Sequence, residues 1–409
     1  MTYTEAVRFL YSLGNEVQTA KFGLQRISRL LKAMGSPHAT GNFVHVAGTN
    51  GKGSTSAMIE SGLRAAGQLT GLYTSPHLIE PVERIQIQGQ TISPEQFARA
   101  FDQVHTAAER MLRDGDLDFH PTYFESVTAM AFLLFREASL DWIVLETGLG
   151  GRLDATNVVT SRLCVITPIA YDHQFFLGNT LIEIAGEKAG ILKPGVAAVF
   201  AHQLPEAAEV LRERAQGPFT FTDEWPIERL ITDAHGSRFR MGADEVVCPL
   251  AGEHQVENAR TAALALRQLG YPADGIALTE WPGRLQRVSR NPDIILDGAH
   301  NPAGAHALAQ YIERFYAGRT IWLIFGVMRD KPLSEIAGIL FPLAQRIILT
   351  APANSRALPP EQIAAPNAVI THQVAEALAL VRGAPSDAVV FITGSLFVVG
   401  EALQLLRVQ

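Results

Sequence analysis

Short apolar runs rich in Val, Ile and Leu alternate along this chain with longer stretches in which apolar residues recur at helical spacing. "NFVHVAG", "LTGLYTS", "DWIVLETG", "RLCVITPIA" and "GVAAVFA" read as strands. "STSAMIESGLRAAG", "PEQFARAFDQVHTAAERML" and "ESVTAMAFLLFREA" read as helices. The opening "MTYTEAVRFLYSLG" is an amphipathic helix with Thr2 and Glu5 at capping-box spacing. Strands that alternate with helices predict an α/β protein built on parallel sheets. "WPGRLQRVSRNP", at 281–292, interrupts the pattern with two prolines and a glycine. A fresh strand, "DIILDG", follows, and then "TIWLIFG", "RIILT" and "AVVFITG". The expected division is therefore residues 1–290 and a smaller α/β domain, 291–409. No internal repeat or low-complexity tract is visible.

Composition narrows the class. A chain of 409 residues with 47% apolar and 18% charged positions has ample core for two domains. Its 34 Lys and Arg against 41 Asp and Glu give a net charge of −7. That balance argues against a general nucleic-acid binder. Two distant cysteines, Cys164 and Cys248, offer neither a disulfide framework nor a CxxC metal motif, so a reducing cytoplasm is expected. The most apolar late run, "VVFITGSLFVVG", has 12 residues, too few to cross a bilayer.

"HVAGTNGKGSTSAM", residues 45–58, carries candidate chemistry. A strand enters, glycines permit close backbone approach, and a helix leaves, as in a phosphate cradle. Lys52 would add a point charge for β- and γ-phosphates, and Ser54 or Thr55 could hold magnesium. The spacing departs from the usual loop, because residue 46 is Val and Gly53 stands where Ser or Thr is expected. A glycine-rich turn without a ligand is the plain alternative. Glu146 closes the strand "DWIVLE", where a carboxylate can meet a hard cation or simply solvent. Taken alone, Ser75 before Pro76 is a turn former, His173 a loop histidine and Lys188 a solvated helix lysine. Tyr123 and Phe124 either stack on a flat ring or open a core helix.

"GTNGKGST", "LYTSPHL", "ERI", "TYFE", "LETGLGGRLDATN", "ITPIAYDH", "GEKAGILK", "WPGRLQ", "LDGAHNP" and "TGSL" run in this order from about residue 43 to 397. Together they resemble the folylpolyglutamate synthases of the Mur ligase superfamily, some of which are also dihydrofolate synthases. The resemblance implies a P-loop parallel-sheet ATPase domain that binds ATP and folate, over 1–290. It also implies a smaller C-terminal Rossmann-like α/β domain that closes over ATP and binds glutamate. The implied activity is an ATP-dependent amide ligase that adds L-glutamate to a folate carboxylate through an acyl phosphate. Implied ATP contacts are Thr49, Asn50, Gly51, Lys52, Gly53, Ser54, Asn258, Arg284, Asp297 and His300. Two magnesium ions would take Ser75, Glu146 and His173, with Lys188 carbamylated in support, and potassium is a further implied ion. Lys52, Lys188 and His173 form the implied catalytic set. The folate side would lie near Thr19 to Phe22, at Pro121, Thr122, Tyr123 and Phe124, and at Leu153, Asp154 and Ala155. "QTAKF" departs from the acidic pattern of some bifunctional members, which bears on dihydropteroate use. Arg356 and Ser395 are the glutamate candidates, with surface and turn roles as their alternatives. The expected protein is a cytoplasmic monomer without nucleic-acid or membrane partners.

Other readings fit less well. Muramyl-peptide ligases carry a UDP-sugar domain before the loop, and 47 residues precede Gly48 here. A nucleotide-switched binding protein of the GTPase type needs an N-K-x-D segment, which "NSRALP" and "MRDKP" do not supply. An inactive scaffold is at odds with the retention of Lys52, Glu146 and His173.

Overall fold

A computed structural model describes residues 1–14 and 23–407. The expected folate contacts at 19–22 lie outside the described residues. The chain divides into two compact units. The first comprises Met1–Glu228, Arg240–Val246 and Glu257–Leu278. The second comprises Arg229–Phe239, Val247–Val256 and Thr279–Gln409.

In the first unit the strands are β1 (Asn42–Ala47), β2 (Thr70–Tyr73), β3 (Ile85–Ile87), β4 (Gln90–Thr91), β5 (Trp142–Glu146), β6 (Leu163–Ile166), β7 (Ala197–Phe200) and β8 (Phe219–Phe221). Among the described residues they form one sheet in the order β4-β3-β2-β5-β1-β6-β7-β8. From β2 to β8 every neighbouring pair is parallel, and β3 and β4 add antiparallel at the edge. Parallel strands need both faces covered, which explains why β1, β2, β5 and β6 are almost wholly buried. The helix Lys52–Ala65 follows β1 and buries every residue from Ser54 to Leu63, small hydroxyls included. Tyr3–Ser12 is helical with the Thr2–Glu5 capping box formed, and Pro94–Arg113 and Tyr123–Glu137 are helices with capping boxes of their own.

Three strands that the apolar pattern did not announce come next: β9 (Ile227–Thr232), β10 (Ser237–Met241) and β11 (Asp244–Cys248). They form a separate small sheet. β9 is largely exposed, so it lacks the buried run that marks the other strands.

The second unit holds β12 (Gln286–Arg290), β13 (Asp293–Leu296), β14 (Ile321–Phe325), β15 (Arg346–Leu349), β16 (Val369–Ile370) and β17 (Val389–Thr393). Their order is β12-β13-β17-β14-β15-β16, parallel except for β12. Its core packs Ile295, Leu323, Phe325 and Phe391 against Leu308 and Ile312 of the helix Pro302–Phe315. A break at 290 would cut the hairpin of β12 and β13. Gly298 N–H also donates to Gly283 O at 3.0 Å, so "GRLQRVSR" belongs with the second sheet. No helix among the described residues is long and apolar enough to cross a membrane.

Candidate active site

Strand order and register bring the first group of candidates together. β1 is central, with β5 on one side and β6 on the other. Val46 pairs with Glu146, Tyr73 with Leu145, and Ala47 with Ile166. The Gly48 loop, the Ser75 turn, Glu146 and the segment 167–173 therefore leave the same carboxyl edge of adjacent parallel strands. This is where ligands bind in open α/β sheets.

Glu146 is 4% exposed, and its Oε2 accepts the Ser75 N–H at 3.0 Å. Ser75 and Glu146, far apart in sequence, are thus neighbours. In the loop, Gly48 and Gly51 have φ of 147° and 86°. A Cβ on Gly48 would overlap Thr167, and one on Gly51 would overlap the Asn258 amide, so only glycine fits. That places Asn258, from the helix Glu253–Gln268, against the loop. Thr49 is fixed to the strand beyond: its N–H donates to Pro168 O at 3.0 Å and its hydroxyl pairs with Ala170. Lys52 Nζ donates to Thr49 O at 3.1 Å. Gly53 and Ser54 open the helix, with Ser54 2% exposed.

Lys188 ends the helix Leu181–Lys188 and is not a solvated lysine. It is 4% exposed, and Nζ donates to Gly48 O at 2.6 Å. Burial, and then the positive charge of Lys52, pull its pKa down to about 7, while Asp172 and Asp154 act in the opposite direction. His173 is a left-handed residue, φ 52°, whose N–H donates to Asp172 Oδ1 at 2.8 Å. Asp172 was not singled out from sequence. Its place beside His173 in "YDH" was the available signal.

The folate candidates fall into roles that the sequence did not separate. Thr122 caps the helix Tyr123–Glu137 in a capping box with Glu125, which in turn pairs with Arg26 at 2.7 Å. Tyr123 is 2% exposed, stacked on Tyr11 with Arg84 over its ring at 5.0 Å, so it is a core residue here. Arg84 also donates to His77 Nδ1 at 2.9 Å, which links the "SPHL" and "ERI" motifs in space. Phe124 is half-buried, and its ring covers Gly148, where a Cβ would collide with it. Asp154 is spent on its own loop. Oδ2 accepts Gly148 and Leu149 N–H at 2.9 and 3.0 Å, and Oδ1 accepts the Thr156 N–H and hydroxyl. Thr156 in turn meets the buried His45 at 2.8 Å. Leu153 and Ala155 flank that anchor, and Pro121 is buried beside Thr122.

The second unit gathers its own candidates at the carboxyl edge of its sheet. Asp297 follows β13, is 6% exposed, and accepts the Leu285 and Ala299 N–H groups at 3.0 Å each. Burial raises its pKa, and the charge of Arg284 acts against that rise. A Cβ on Gly298 would overlap the Arg284 guanidinium. His300 Nδ1 lies 2.7 Å from Gly298 O, and Asn301 caps the helix Pro302–Phe315. Ser395 Oγ accepts the Val398 N–H at 3.2 Å at the start of the last helix. Arg356 lies over the Phe397 ring at 5.4 Å, which brings it to the same loop cluster as Ser395.

Two family patterns match along the chain: the Mur ligase middle domain over residues 46–266, and the Mur ligase glutamate ligase domain over 283–396. The folylpolyglutamate synthase of Lacticaseibacillus casei is 34% identical, across 99% of each chain. The chain belongs to the folylpolyglutamate and dihydrofolate synthase family of Mur ligases. Another relative, the dihydrofolate synthase/folylpolyglutamate synthase of Bacillus subtilis, is 39% identical over 80% of each chain. A solved structure of Mycobacterium tuberculosis folylpolyglutamate synthase complexed with ADP and AMPPCP matches with a TM-score of 0.90 at 32% identity. It covers 99% of this chain and 98% of its own. The P-loop ATPase sheet and the second α/β sheet are thus the architecture of this synthase family.

Proposed function

We propose that this protein is an ATP-dependent ligase that joins L-glutamate to the carboxylate of a reduced folate. Release of ADP and phosphate would accompany the reaction. The observation that carries the reading is the Lys52 loop at the sheet edge with Ser75 and Glu146 joined beside it, in a chain that full-length synthase relatives match. A carboxylate is a poor electrophile. Its oxygen attacks the γ-phosphorus, ADP leaves, and the acyl phosphate forms. The glutamate amine then attacks the acyl carbon, phosphate leaves, and the amine loses a proton.

Thr49, Asn50, Gly51, Lys52, Gly53 and Ser54 would cradle the phosphates, with the Lys52 ammonium countering charge on the transferred group. Asn258 would meet the base, and Arg284, Asp297 and His300 the phosphates and ribose. The chemistry suits magnesium: Glu146 is a buried carboxylate beside Ser75, an oxygen donor of the kind a hard cation takes. Ser75, Glu146 and His173 would hold the ions. Bound magnesium screens phosphate charge. A carbamate on Lys188 would give that region an anion, and its burial beside Lys52 favours the neutral amine that carbamylation needs. Potassium is a further ion that the reading admits.

On the folate side, Phe124 and the Leu153–Ala155 turn would face the pterin, with Tyr123, Thr122 and Pro121 supporting them. Arg356 and Ser395 would receive the incoming glutamate. The second unit would close over ATP and exclude water from the acyl phosphate. The protein would act as a cytoplasmic monomer, and the net charge of −7 fits the absence of nucleic-acid partners.

The test supplies ATP, Mg²⁺ and labelled glutamate with either a monoglutamyl reduced folate or dihydropteroate. Label in the folate product supports the reading, and label in both products extends it to dihydrofolate synthesis. GTP-preferring hydrolysis without label in either product would overturn it in favour of a nucleotide-switched binding protein.

A further inference from the structure

Away from the loop, three donors that the sequence reading passed over come together in the first unit. His105 and Glu109 lie one turn apart on the helix Pro94–Arg113, so they share a face. His120 arrives from the segment just before Pro121. One ligand atom from each of the three lies within 4.8 Å of the others. His105 Nδ1 and His120 Nε2 are 3.4 Å apart. Two nitrogens bound to one tetrahedral zinc at about 2.0–2.1 Å stand roughly 3.3–3.4 Å from each other. The imidazoles are thus already at the spacing that a shared metal requires.

The orientation of His120 is fixed as well. Its Nδ1 lies 2.9 Å from Pro121 O, which can only accept, so Nδ1 carries the proton and Nε2 offers its lone pair toward His105. Metal-bound histidines are commonly oriented by such a carbonyl. The rings are braced on the protein side: Phe9 meets both, with centroids at 4.5 and 5.2 Å, and Phe101 stacks on His105 at 5.4 Å. Glu109 is exposed, so its carboxylate can close onto the pair by a change of rotamer.

We propose that His105, Glu109 and His120 form a zinc site that ties the helix Pro94–Arg113 to the segment entering the Thr122-capped helix. Two imidazoles and a carboxylate suit zinc, and three protein ligands leave its fourth position to solvent. The site is independent of the ligase reading, and its test does not depend on activity.

The full-length protein is stripped with a chelator and titrated with Zn²⁺ against a chromophoric chelator, under excess Mg²⁺. We expect a tight equivalent that His173→Gln does not remove. Glu109→Gln should weaken it at least ~10-fold, given that losing even an outer partner costs that much. His105→Gln and His120→Gln should abolish it. Zinc at one fixed concentration should raise Tm in the unaltered protein and raise it less in Glu109→Gln. Glu109 is exposed, so that variant tests the site even where a histidine variant folds poorly. A wild-type protein without the tight equivalent overturns the proposal. So does an equivalent that survives the double histidine variant, one that vanishes with His173→Gln, or unchanged affinity in Glu109→Gln.

Discussion

At the scale of single residues, the electrostatic demands of phosphoryl transfer fall on very few groups. Lys52 Nζ is held by Thr49 O of its own loop, and Glu146 accepts the Ser75 N–H. Lys52→Ala and Glu146→Ala should therefore lose about 10²-fold or more in glutamate ligation while keeping their far-UV spectra and Tm. Near-normal turnover in either variant removes that residue from the chemistry. Lys188 makes a sharper, pH-dependent case. Only a neutral amine adds CO₂, and the reaction releases a proton. With a pKa of about 7 the amine is mostly charged below that pH and mostly neutral above it. Carbamate occupancy should rise as pH increases through about 7, read as a mass gain of one CO₂ that disappears on acidification. Lys188→Ala should be impaired and partly rescued by small carboxylic acids. Full activity without rescue, or no mass gain on the alkaline side, would leave Lys188 as a structural donor to Gly48 O.

At the scale of elements, strands and helices with buried runs were legible. The apolar runs of β1 and β5 end at the Lys52 loop and at Glu146, which made those two candidates visible in the strand pattern, whereas Asp297 after β13 was a candidate only through the family resemblance. Side-chain division of labour was not legible. Tyr123 and Phe124 are adjacent in sequence, yet one is sealed against Tyr11 and the other covers Gly148. Asp154, a folate-side position only through the family resemblance, takes four hydrogen bonds from its own loop, which no sequence pattern announced. His105 and His120 are 15 positions apart and meet through tertiary packing, with Phe9 against both rings. The tie between β1 and the Asp154 loop also has a testable cost. Thr156 gives its proton to Asp154, so His45 Nε2–H donates to Thr156 and Nδ1 stays bare and buried. Burial holds the His45 pKa near 3, against an ordinary value of 6.5. Between those values the unfolded chain binds a proton that the folded chain refuses. Stability is therefore complete above about pH 6.5 and declines as pH falls toward about 3, by up to about 1.4 kcal/mol per pH unit. His45→Gln should lower Tm at neutral pH but flatten its dependence on pH across that window. An unaltered slope would show that other groups set the acid limit.

At the scale of the whole molecule, the proposed reaction would draw on residues of both units. The phosphate loop, Glu146 and Lys188 belong to the first, while Arg284, Asp297 and His300 belong to the second. An acyl phosphate exposed to water would be hydrolysed before the amine arrives, so a ligase that uses one needs its site shut during the reaction. "WPGRLQRVSRNP" read as a linker because of its prolines and glycine. Its Gln286–Arg290 stretch is instead a strand of the second sheet, paired with β13. If the second unit closes as proposed, small-angle scattering should give a smaller radius of gyration with a non-hydrolysable ATP analogue and folate than with either alone. Asp297→Ala should weaken that compaction together with ligation, because its carboxylate organises the Leu285 and Ala299 backbone on which Arg284 and His300 are mounted. A radius that stays constant under saturating ligands would mean that the site is shielded by local loop movement. In that case glutamate ligation should be insensitive to changes at 279–283, a second and independent measurement of where the motion resides.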